Sequence, residues 1–177
     1  MKRVIIFPVF LGEILFLSLY PLPIDQATKL PVWMVNESQS QEVNPKILVE
    51  IFLASRHKQE LPKIKKEFEA FSITRVRAQY FPAGNPPQNI AVGRNVPAPV
   101  ARLAIRLAIQ YNLKIKFLLP EERLAPDYVA IGTSILDELF QIPVEPQDIE
   151  RLSDPSLSTP EFHVLYRHLT GEDKHSQ

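Results

Sequence analysis

The chain contains no cysteine. That excludes disulfides, thiolate nucleophiles, cysteine zinc sites and cysteine-ligated iron–sulfur clusters, and also a lipoprotein anchor, which needs one. Glycine is scarce: 5 glycines stand against 17 prolines in 177 residues, so the turns are stiff and a glycine-rich phosphate loop is not expected. Net charge is missing as well, because 20 basic residues balance 20 acidic ones. Nucleic acid and anionic membranes therefore gain no bulk electrostatic argument as partners. The length suits one domain with a real core.

Residues 1–22 open with Lys2 and Arg3 and continue as a mostly apolar run to Pro21. That is how a membrane anchor or secretory signal begins, and basic flanks are retained on the cytoplasmic side. Glu13 in mid-run, Pro8 and the short length count against a span. The alternative is a buried amino-terminal element of a soluble protein. Residues 23–45, with Pro23, Pro31 and Pro45 and the polar run Asn36–Glu42, read as a proline-rich linker. Val32–Val35 within it is expected to be a short strand or a plug, with the single tryptophan, Trp33, as a packing anchor.

From Lys46 the hydrophobic pattern becomes regular. Lys46–Ser55 alternates with Ile47, Val49, Ile51 and Leu53 on one side and Leu48, Glu50 and Phe52 on the other, which predicts a strand. Lys58–Phe71 places Leu61, Ile64, Phe68 and Phe71 on one helical face, with Pro62 in the first turn. Ile73–Phe81 alternates again, turning Arg75, Arg77 and Gln79 outward. Pro82–Gln88 reads as the turn of a hairpin leading into a short strand, Asn89–Gly93. Val96–Asn112 then predicts a helix starting near Pro99, apolar around most of its circumference and interrupted only by the stripe Arg102, Arg106 and Gln110. The two arginines read as a solvated edge, or with Arg94 as an anion site near the helix start. Lys114–Leu119 predicts a strand with Leu113, Ile115, Phe117 and Leu119 inward and Lys114 and Lys116 outward.

Strand, helix, strand, strand, helix, strand is the order of a ferredoxin-like βαββαβ layer, an α/β (α+β) sheet with its helices on one face. A further strand over Tyr128–Ser134 and C-terminal helices over Ile135–Phe140, Val144–Leu152 and Pro160–Leu169 complete a single domain over residues 46–170. Residues 171–177 read as a disordered tail. One sheet face is expected to carry Arg75, Arg77, Gln79, Lys114, Lys116, Glu50, Leu48 and Phe52, a basic rim around an apolar centre, and Arg94 is counted with these among the candidate binding residues.

Two strand–helix halves, the second written Ile90-Ala91-Val92-Gly93 followed by Ala101, Leu103 and Leu107, resemble a SPOR domain over Lys46–Leu119. The resemblance implies a non-catalytic module that binds peptidoglycan glycan strands, or a protein partner, from the periplasmic side of an inner-membrane tether. The family usually has a glycine where Phe52-Leu53-Ala54-Ser55 ends the first strand, so none of its binding residues transfers here. The alternative is a soluble cytoplasmic interaction or regulatory domain whose apolar amino terminus joins the core or a homo-oligomer interface.

Catalytic and cofactor signals are weak. Ser134 follows Gly132-Thr133, but a nucleophile elbow needs glycine two residues later, where Leu136 stands; helix capping is its plainer role. His163 and His168 lack an H-E-x-x-H frame and read as surface groups, and Glu121 and Glu122 read as loop charges. Thr159 is the expected cap of the last helix. No metal, cofactor or enzymatic activity is expected. RNA binding is disfavoured, because Asn89–Gly93 offers no second aromatic for base stacking.

Overall fold

The computed structural model describes residues 46–82, 84–133 and 141–172. The expectations for residues 1–45, for Ser134 and the helix over 135–140, and for residues 173–177 lie outside them. The described chain is mixed α/β. Its strands are β1 (Leu48–Ala54), β2 (Val76–Phe81), β3 (Asn89–Val92), β4 (Phe117–Leu119), β5 (Tyr128–Ile131) and β6 (Ile142–Pro143). Its helices are α1 (Leu61–Glu69), α2 (Ala98–Asn112), α3 (Pro146–Leu152) and α4 (Thr159–Thr170). One 3₁₀ turn, Ser55–Glu60, precedes α1, and another, Glu121–Arg123, follows β4.

All six strands join one sheet in the order β2-β1-β5-β3-β4-β6. β1 is parallel to β2 and to β5, β3 is parallel to β4, and β5 is antiparallel to β3. The architecture is therefore two βαβ units, β1-α1-β2 and β3-α2-β4, running in opposite directions with β5 between them. The ferredoxin-like order is not the one found: β1 and β3 share the sheet but are separated by β5. The hairpin expected at Pro82–Gln88 is also corrected. Among the described strands β2 lies at the edge, three positions from β3, so the distance between them is the width of β1 and β5, on the order of 15 Å.

Helices on a single face remain as expected. Two right-handed crossovers in opposite directions, each moving outward, must place their helices on the same side of the sheet. Val49, Ile51, Leu53, Ile90, Val92, Leu118, Val129 and Ile131 meet Ile64 and Phe68 of α1, the apolar face of α2, and Phe162 and Tyr166 of α4 in one cluster. α4 joins this same layer and does not cover the face around Leu48. The Tyr166 hydroxyl, fully buried, donates to Leu119 O at 2.9 Å and binds α4 to the end of β4. Burial holds its pKa far above that of a free tyrosine.

The helix ends follow local chemistry. Ser158, not Thr159, caps α4: its N–H donates to Glu161 Oε2 at 2.9 Å within a capping box. Thr159 Oγ1 instead accepts from Ala98 N at 3.1 Å, supplying an acceptor to the first turn of α2. Gly171 stops α4 in the left-handed region (φ 76°). Arg102 is no solvated edge. It is 6% exposed, and its Nη1 donates to Asp154 O and Leu157 O. Arg106 pairs with Glu67 of α1.

Candidate functional site

Side chains alternate across a strand, so the odd positions of β1 that enter the core send Leu48, Glu50, Phe52 and Ala54 to the other face. Register places Arg77 beside Glu50 and Gln79 beside Phe52 on β2, and Ala130 beside Glu50 on β5. Ala91, Leu119 and Ala130 form a second, smaller apolar cluster here, with Leu124 and Tyr128 packed against it. No described helix contributes to this cluster.

The polar centre of the face is Glu50 with Tyr128. The Tyr128 hydroxyl donates to Glu50 Oε2 at 2.7 Å, across 78 residues of sequence. Both residues are half-buried. Burial first, and then the hydrogen bond to the Glu50 carboxylate and its charge, hold the Tyr128 phenol far above its usual pKa; the Thr133 side chain acts in the opposite direction. The pair thus presents a neutral phenol against a carboxylate, flanked by the exposed side chains of Arg77 and Gln79.

The expected residues divide into three groups. Arg77, Gln79 and Phe52 do share this face. Phe52, however, is 1% exposed, its ring 6.0 Å from that of Phe81, so it is packing and not an open platform. Arg75 is exposed just before β2 and donates to Lys46 O at 2.9 Å; Arg94 is exposed in the turn after β3, at the same end of the sheet. Lys114 and Lys116 are exposed at the opposite end, in the connection between α2 and β4. The alternation expected there is also corrected. Leu118 joins the helix-side core, Leu119 the other cluster, and Leu113 is 60% exposed with φ 74°. Both faces of β4 are apolar, so alternation alone could not decide which was inward. The basic rim expected around one face does not form as a unit.

A second polar cluster was not legible in the sequence. Glu121 and His163, read as surface charges, are each 5% exposed and pair through His163 Nδ1 and Glu121 Oε1. His163 Nε2 lies 2.7 Å from Val96 O. A carbonyl oxygen only accepts, so Nε2 is the donor to Val96 O. Arg167 Nη1 donates to Glu121 Oε2 at 3.4 Å. The Glu121 N–H donates to Glu172 Oε1 at 2.6 Å, which brings a residue assigned to the tail into the domain. With both imidazole nitrogens engaged, this buried cluster fastens α4 to the loops after β3 and β4. The available signal was weak: His163 is one position from Phe162 and three from Tyr166 on a buried stripe.

Among the described residues no group of three or more acidic, histidine or cysteine side chains is arranged to hold a metal ion. No described helix is long and apolar enough to cross a membrane. Compared with known proteins, the chain matches no family model, no curated protein and no solved structure.

Proposed function

We propose that this chain is a non-catalytic binding module whose sheet face opposite the described helices takes a hydroxyl-rich polymer of the cell envelope, such as a peptidoglycan glycan strand, with residues 1–22 as its inner-membrane tether and the domain in the periplasm. The observation that carries the reading is the Glu50–Tyr128 pair, flanked by exposed Arg77 and Gln79, on a face to which no described helix contributes. A carboxylate, a phenol, a guanidinium and an amide together accept from and donate to sugar hydroxyls, while Leu124 and Phe81 supply apolar edges. Glu50 is the one carboxylate among the described strand residues of this face, whereas glycosidic cleavage ordinarily uses two acids flanking the bond. Binding is therefore the reading favoured over hydrolysis.

Retention of the full chain on purified sacculi tests it. Glu50→Gln with Arg77→Ala is expected to reduce retention by about a hundredfold or more, since hydrogen bonds involving charged groups contribute about 1.5–3 kcal/mol each. Equal retention of variant and wild type would remove this face from consideration. Recovery of the wild type, with and without residues 1–22, from the soluble cytosol would refute the tether and favour the cytoplasmic interaction domain.

A further inference from the structure

The two edges of the sheet are built differently. β6 is two residues long and contains Pro143, so it is short and lacks a donor, as protected edges often are. β2 is six residues, VRAQYF, with neither proline nor glycine. Its main-chain polarity can be worked out from one bond. Val49 N donates to Arg75 O at 2.9 Å, and in a parallel ladder alternate residues of a strand bond to the same neighbour. Arg75, Arg77, Gln79 and Phe81 therefore turn their peptide groups toward β1. Val76, Ala78 and Tyr80 turn theirs away from the sheet. The Val76 N–H lies 3.1 Å from Thr74 O and is engaged locally. The Val76 carbonyl and both groups of Ala78 and Tyr80 form an outward row that no described strand covers.

We propose that β2 pairs with β2 of a second copy of this chain, antiparallel about a two-fold axis through Ala78, joining the two six-stranded sheets edge to edge. A closed dimer needs a self-complementary surface, and three registers bring more than one pair of outward β2 residues into hydrogen-bonded opposition: those with Arg77, Ala78 or Gln79 on the axis. Arg77 on the axis sets two guanidinium side chains directly opposite, which is destabilising. Gln79 on the axis slides Val76 opposite Pro82, which has no N–H to offer. Ala78 on the axis uses the whole row. It sets Val76 against Tyr80 on the helix side, a favourable β-branched and aromatic pair, and Arg77 against Gln79 on the other face. Val76 and the half-buried Ala78 and Tyr80 are where the helix-side core reaches the edge, so a partner's copy continues that core.

Because the chain contains no cysteine, single cysteines report register cleanly. With Ala78 on the axis, its two copies are about 5.5 Å apart between Cα atoms, within disulfide reach. The two copies of Gln79 are displaced by two residues each from direct opposition, roughly 8 Å apart and beyond reach. The full chain with Ala78→Cys is expected to form at least ten times more disulfide dimer under oxidation than the chain with Gln79→Cys. The wild type is expected to sediment at twice its 20.3 kDa, and Ala78→Pro, which deletes an outward N–H on an edge strand, to return to the monomer mass with an unchanged circular dichroism spectrum. A monomeric wild type, equal crosslinking of the two cysteine variants, or a dimer surviving in folded Ala78→Pro would each overturn the proposal. Should Ala78→Pro fail to fold, the cysteine pair still decides.

Discussion

Replacing His163 by leucine attacks the most deeply buried side-chain pair described in this fold. In the wild type its ring bridges Glu121 and Val96 O, and the side chains of His163 and Glu121 are 6% and 4% exposed. His163→Leu leaves the Glu121 carboxylate buried with Arg167 at 3.4 Å, itself 38% exposed, and leaves Val96 O without its donor. Removing one partner of a buried pair costs about 3–5 kcal/mol. At roughly 2–4 °C per kcal/mol for a chain of this size, the melting temperature is expected to fall by about 6–20 °C. Glu121→Leu should cost a similar amount. The double variant removes both polar groups together and should lose only about 1–2 kcal/mol, because apolar replacement of a whole buried pair is often close to neutral. Thermal and urea unfolding of the four proteins measures the coupling directly. A loss below about 1 kcal/mol for His163→Leu, or a double variant whose loss equals the sum of the singles, would refute the reasoning.

Gly132 and Gly171 both have positive φ, 73° and 76°, but only at Gly132 would a Cβ press on the Asn112 side chain and lie 2.8 Å from Pro87 O. Gly171→Ala is expected to cost about 1 kcal/mol from backbone strain alone, and Gly132→Ala at least twice that; equal losses in chemical denaturation would contradict the packing described there. Ser158→Ala removes the α4 capping box and is expected to cost about 1 kcal/mol, read as a shift in urea midpoint at constant slope. Tyr111, Tyr128 and Tyr166 have phenol pKa values raised above 10.0, burial being the largest cause for each. The folded state therefore holds these protons where the unfolded chain releases them. Their contribution is fully present below pH 10 and is lost as pH rises through the folded values. Absorbance titration should show Tyr166 ionising only together with alkaline unfolding and Tyr111 and Tyr128 ionising above the usual tyrosine range, and a normal titration in the folded protein would exclude their burial.

The elements themselves were readable from the chain. β1 and β2 alternate, α1 and α4 carry one apolar stripe each, and proline near the first turn with glycine after the last marks where helices begin and end. These signals are local: each arises from a segment's own periodicity or from a cap two or three residues away. Of the candidate face, Glu50, Arg77 and Gln79 followed from alternation alone. Tyr128 as the partner of Glu50 did not, because that contact depends on which strand lies beside β1.

Strand order was decided by packing over long sequence separations. β3 is buried at all four of its positions, so its pattern carries no face and no preference for a neighbour. β5 offers Val129 and Ile131 to the helices and Ala130 to the other side, and it pairs parallel to β1 and antiparallel to β3. Burial of His163 and Glu121 has the same origin, since a histidine beside a hydrophobic stripe and a glutamate after a strand acquire each other only when α4 docks over β4. Local periodicity therefore determined which segments are strands and helices and which side chains share a face. The neighbours across those faces were set by the tertiary structure, because burying apolar area is non-directional and many pairings satisfy it until the whole sheet closes around one core.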